Sequence, residues 1–373
     1  MNRARWFACS AALLASCANV DVPPIAGDRY DRCDDPSFEQ ATRALAAGDL
    51  EAALAALQRA VSACPNHVPA HQLWIRLARD QGGAAEAAMR NHYASWPDRG
   101  DSPVVPYVQS LLAYRRVEGG SPQDVDSLRV AQLEEAIARD RSFHHAYLDL
   151  AEIWGRNDRI AKQLDYLEKA VQAKPDAPLA NLALARVLVS LGRGEEAVPR
   201  YERYLRAERP GWKAARPGVD ADVEPARELV RLLLYGLERV DEAEPWLAWL
   251  ATRTQDETAT WMDQAAFAWL KGDRDGAAAF YRRVLAAEPS NARAALNLGN
   301  LWLVDSERPD DATRDEDWRR ARQAYRYFLA LAQHADVHVL QDLYVSVPFR
   351  LGVIARELGP LPADAAPARL GEF

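Results

Sequence analysis

Apolar residues recur three and four positions apart along most of this chain. Tyr147, Leu150, Ala151 and Trp154 fall at i, i+3, i+4 and i+7, which puts one apolar stripe on a helix. Leu184, Ala185 and Leu188 repeat the pattern, as do Trp261 with Ala265 and Leu298 with Gly299 and Trp302. Each stripe runs into a polar break, then a second apolar helix with a small residue near its start, then a terminator. Gly48-Asp49 leads to Ala53 and ends at Pro65; Gly272-Asp273 leads to Ala277 and ends at Pro289; Gly192 leads to Ala197. Five copies are clear, at about 34–66, 144–177, 178–210, 258–291 and from 292 onward. Three weaker pairs fill residues 68–97, 103–141 and 224–254.

The small residues have a steric reason, because helix axes about 8 to 10 Å apart leave no room for a bulky side chain where they cross. Prolines 65, 175 and 289 lack an amide hydrogen and stop one unit before the next begins. With a unit of about 34 residues, this pattern resembles the tetratricopeptide repeat. The resemblance covers most of the chain and implies an all-α fold: a right-handed α-solenoid of about eight stacked helical hairpins. Such an array displays a surface and has no single deep catalytic cleft. The array is expected over 34–333, with a bend at 208–224 around Pro210-Gly211 and Pro217-Gly218, and an amphipathic capping helix over 337–358. Residues 359–373, rich in alanine and proline, read as a disordered tail, and Asp305–Asp317 as an acidic expansion of the last turn.

The first sixteen residues have the layout of an export signal, with Arg3 and Arg5 before the apolar run Trp6–Leu14. Leu14-Ala15-Ser16-Cys17 resembles a bacterial lipoprotein box, which implies cleavage before Cys17 and acylation of its thiol. Residues 17–33 would then be a tether. Ala18 lacks the aspartate of enterobacterial inner-membrane retention, so the resemblance favours an outer-membrane anchor, on the periplasmic face or the cell surface. An ordinary cleaved signal or an uncleaved N-terminus are the alternatives. If Cys9 leaves and Cys17 is acylated, Cys33 and Cys64 remain, at ends of the first hairpin that antiparallel packing sets side by side. A disulfide between them is expected, against the alternative of two buried thiols.

From Cys17 onward the chain carries 44 basic against 54 acidic residues, which argues against nucleic acid or an anionic bilayer surface as the main ligand. Gly192-Arg193-Gly194-Glu195-Glu196-Ala197 fits a dinucleotide-binding fingerprint, but the repeat register accounts for it and no strand-helix-strand unit surrounds it. Three histidine pairs (67/71, 144/145 and 334/338) lack evident further ligands for a metal, and the aspartates near 305–311 lack the spacing of a calcium loop. No HExxH, G-x-S-x-G or paired CxxC motif occurs. Neither a cofactor nor a metal is expected.

In this family the first helices line a concave groove. Register places His145, Leu148, Glu152 and Arg156 there, with Leu182 and Arg186, then Met262 and Trp269, then Arg293, Leu296 and Asn300. That mixed apolar and basic set suits an extended or helical peptide with acidic side chains. The lysine and asparagine pattern of chaperone-docking repeats is absent, with Leu148 and Glu152, and Leu182 and Arg186, in its places. The expectation is a non-enzymatic envelope scaffold or adaptor that binds another envelope protein, similar to lipoproteins that assist secretin or pilus assembly. The alternatives are a regulatory subunit of an envelope protease or wall-enzyme complex and, more remotely, a hydrolase built into the groove.

Overall fold

The computed structural model describes residues 29–96, 100–113, 122–206, 223–253, 257–303, 311–332 and 337–360. These form seventeen α-helices and no strand. They run α1 (Ser37–Ala46), α2 (Leu50–Ala63), α3 (Val68–Gln81), α4 (Gly83–Ala94), α5 (Val104–Leu112), α6 (Pro122–Arg139), α7 (His144–Arg156), α8 (Ile160–Ala173) and α9 (Pro178–Ser190). Then come α10 (Gly194–Arg206), α11 (Val223–Arg231) with a π-helical turn at Leu232–Gly236, α12 (Val240–Arg253), α13 (Glu257–Leu270), α14 (Arg274–Ala287), α15 (Ala292–Leu303), α16 (Asp311–Ala332) and α17 (Val337–Leu358). The chain divides into two compact units, 1–191 with 202–217, and 192–201 with 218–373.

Local chemistry sets the hairpins. Gly48 and Gly272 turn the chain with φ of 77° and 81°, a left-handed conformation that costs glycine nothing. The fourth copy lacks the glycine and uses Asp158 at φ 54°, one of the few side chains that tolerate this region. Asp49 and Asp273 then cap α2 and α14, their carboxylates accepting from the amides of Ala52 (3.0 Å) and Gly276 (2.9 Å).

In the first unit, Ala53, Ala60, Ala146 and Ala170 are wholly buried at helix crossings, and Tyr107, Phe143, Leu57 and Leu150 fill the space around them. Cys33 is joined to Cys64 by a disulfide, with Cα atoms 5.7 Å apart, which fastens the chain ahead of α1 to the end of α2. The expected tether is not free up to residue 33. Tyr30 is buried edge-on against Phe143 (centroids 4.8 Å) and its carbonyl accepts from the amide of Val68 at 2.8 Å, so residues 29–33 are a strap packed on the helices. Residues 1–28, including Cys17, residues 208–222 of the bend expected over 208–224, and the tail from 361 lie outside the described residues, while 223–224 already belong to α11.

In the second unit, Ala277, Ala294 and Ala321 occupy the crossings, with Tyr325 and Phe328 buried between them. The acidic stretch near 305–317 is not wholly a turn: α16 begins at Asp311, and Asp317 is buried in an ion pair with Arg274 at 2.7 Å. The terminal helix α17 buries Val347 and Ile354 fully in this core.

Gly299 shows how little room the crossings leave, since a Cβ there would lie 2.6 Å from Cε1 of Tyr325. Gly299→Ala is expected to destabilise by about 1 to 3 kcal/mol despite the gain in helix propensity, measured as a fall in denaturant midpoint. Tyr325→Leu in the same background should recover part of that loss.

Candidate functional site: a groove across the inner helices of the first unit

Helices α3, α7 and α9 present equivalent positions to one cavity of about 480 Å³. Counting from each helix start, the fourth, fifth and eighth following residues line it: Gln72, Leu73 and Arg76 on α3; Leu148, Asp149 and Glu152 on α7; Leu182, Ala183 and Arg186 on α9. Phe38 of α1, Gln163 and Leu167 of α8, and Leu179 of α9, which is 42% exposed, also line it.

The floor is apolar with a polar seam. Gln72 donates through Nε2 to the buried Tyr107 hydroxyl at 2.6 Å. Asp149 lies beside that hydroxyl, and burial raises its carboxyl to about 6 against the opposing charge of Arg129. Arg76 and Arg186 are exposed on either side of an acidic α7 wall formed by Asp149 and Glu152.

Of the residues that register assigns to the groove, Leu148, Glu152, Leu182 and Arg186 line this cavity. Arg156 sits one turn further along α7 and pairs with Asp126 at 3.2 Å and Glu152 at 3.8 Å. His145 is a correction. It occupies the position of Pro69 and Leu179, but the strap covers it: it is buried, its Nε2 2.8 Å from Oδ1 of Asp31. In the second unit Trp269 and Arg293 are exposed and Met262 is half-buried. Leu296 is a second correction, being 3% exposed in the core of that unit. Asn300 is a third, since its amide oxygen accepts from the Tyr325 hydroxyl (2.9 Å) and from Arg350 of α17.

Asp31 gathers several groups. Oδ1 meets His145; Oδ2 meets the Lys174 ammonium and lies 3.8 Å from Nε2 of His144; the backbone carbonyl meets Nε2 of His67 at 3.2 Å. Asp31, His144 and His145 have the donor set of a metal site, with donor atoms within 4.8 Å of one another. The Lys174 ammonium already supplies the cation to that carboxylate, so the geometry is that of an ion-paired clasp. Burial would raise the Asp31 carboxyl, but hydrogen bonds from His145 and Lys174 and the electrostatic pull of the two imidazole groups hold it far below the usual range. Burial pushes His67 down to about 4 and His144 well down.

The family profile described as tetratricopeptide repeat matches residues 159–216, and a second of the same description matches 130–178 and 268–313. These segments carry tetratricopeptide repeats, a scaffold fold consistent with protein–protein interaction. No curated protein matches it. Similar solved structures include YrrB, a TPR protein with an unusual peptide-binding site (19% identity, TM-score 0.40, covering 54% of this chain and 97% of that one). They also include PilW, a widely conserved type IV pilus biogenesis factor (14%, 0.40, 68% and 97%), and PilF of Pseudomonas aeruginosa (15%, 0.37, 68% and 91%). Among the described residues no helix is long and apolar enough to cross a membrane.

The clasp makes stability depend on acid. An imidazole held neutral by burial takes up a proton on unfolding, so its contribution is full above the unfolded value near 6.5 and is lost as pH falls toward the folded one. For His67 that window runs from about 6.5 to about 4, of order 3 kcal/mol over its whole width. Denaturant melts of the oxidised protein should show stability falling through this range, and the fall should be smaller in His67→Gln.

Proposed function

We propose that this chain is a non-enzymatic, lipid-anchored adaptor of the bacterial envelope, which holds a peptide segment of a second envelope protein in the groove of its first unit. The observation that carries the reading is the convergence of three inner helices, through equivalent positions, on one open cavity. Leu73, Leu148, Leu179 and Leu182 offer apolar contact, and Arg76 and Arg186 offer guanidinium groups to acidic side chains of an extended segment. Leu14-Ala15-Ser16-Cys17 supports membrane attachment, and Ala18 after it favours the outer membrane, facing the periplasm or the exterior.

Two experiments test the two halves separately. The mature N-terminus, analysed by mass spectrometry, should begin at Cys17 and carry a diacylglyceryl group; an unmodified cysteine removes the anchor. A photo-crosslinking residue at Leu179 should capture one partner reproducibly in intact envelopes. Arg186→Ala with Arg76→Ala should weaken that partner's binding to the purified protein at least about tenfold, the loss of one or two charge-assisted hydrogen bonds. Unchanged affinity in a folded double variant would discard the groove as the binding surface.

A further inference from the structure

Three of the helices that line the groove begin next to a group held by Asp31. His67 is the residue before α3 and lies five residues ahead of Gln72. His145, in the first turn of α7, lies three residues ahead of Leu148. Lys174 ends α8 and lies five residues ahead of Leu179 of α9. These groups are far apart in sequence, and α4, α5 and α6 intervene between α3 and α7. One carboxylate thus ties together helix starts that the repeat connectivity joins only through successive neighbours.

We propose that Asp31 is a positioning residue for the groove: it fixes the spacing of α3, α7 and α9 where they line the cavity, and acid releases that spacing by charging His67 and His144 beside it. The proposal concerns the shape of the groove and holds whatever molecule occupies it.

The strap is held so that Asp31 stays in place. Tyr30 donates to Asp140 at 2.5 Å, Arg29 pairs with the same carboxylate, and the disulfide at Cys33 fastens the chain two residues further on. The groups facing Asp31 are His67 at the start of α3, His144 and His145 on α7, and Lys174 at the end of α8. With His67 and His144 neutral, Lys174 balances the carboxylate. Each imidazole that takes a proton adds a positive charge beside that ammonium, in a volume where like charges repel strongly. His67 and His144, the two most depressed by burial, resist charging until the site opens, so protonation and opening are one event.

Two spin labels read the spacing directly. They are placed at Arg76→Cys and Arg186→Cys, both exposed on the groove rim, in the full chain with Cys9→Ser and Cys17→Ser and with the disulfide oxidised. Pulsed dipolar spectroscopy should give one narrow distance at pH 7.5. Asp31→Asn should shift or broaden it by about 2 Å or more, the size of an ordinary helix shift. Asp31→Glu should restore part of the narrow distribution. In the parent protein the distribution should hold from pH 8 to 6.5 and widen from 6.5 toward 4, while far-ultraviolet circular dichroism stays helical; Asp31→Asn should lack most of that change. Gly299→Ala, whose clash with Tyr325 lies in the second unit, is the control for stability alone, expected to lower the melting temperature with no change in this distance. An unchanged distance in folded Asp31→Asn, or a parent distribution that does not move down to pH 4, overturns the proposal. Loss of partner binding without a change in distance would count against it and leave the groove reading intact.

Discussion

The close approach of neighbouring helices governs everything else in this molecule. A hairpin whose axes nearly touch admits only glycine or alanine at the crossing, and the aromatic side chain opposite must then fill the space exactly once. Gly299 under the ring of Tyr325 is the extreme case, and Ala53, Ala60, Ala170 and Ala277 are wholly buried at other crossings. Because each unit repeats this geometry, equivalent positions on α3, α7 and α9 are delivered to the same side of the first unit, and a cavity follows with no further device. The constraint that closes the core also opens the surface.

Much of this was legible in the residues because it depends on local pattern. Turn glycines, capping aspartates, terminating prolines and the 3.6-residue stripe are short-range signals, and they place the hairpins and α17 over Val337–Leu358. The groove was legible in part. The offsets that name Leu148, Glu152, Leu182 and Arg186 also give Gln72, Leu73 and Arg76 when carried to α3, although that copy looks degenerate in sequence. Asp149 lay beside the expected positions, and its proximity to Tyr107 required the fold.

What escaped the pattern is contact between segments far apart in the chain. Nothing near residue 31 announces that its carboxylate meets His145 and Lys174, so His145 read as a groove residue when it lies beneath the strap. Asn300 failed for the same reason, its amide taken by Tyr325 and by Arg350 from the terminal helix. Leu296 failed differently: an apolar residue at a surface register is drawn into whatever core adjoins it. Period identifies the face of a helix, and only tertiary structure says what covers it.

The Cys33–Cys64 bond also decides how this protein would carry a mechanical load. Tension applied upstream reaches Cys33 and crosses covalently to Cys64, so α1 and α2 sit in a slack bypass that the pull never stretches. The strap's own contacts, Arg29 and Tyr30 on Asp140 and Asp31 on His145 and Lys174, bear force first, and past Cys33 the next is the junction into α3, beside His67. A pull from upstream of residue 29 would thus be felt at the strap and then at the start of the second hairpin, while the first hairpin stays folded.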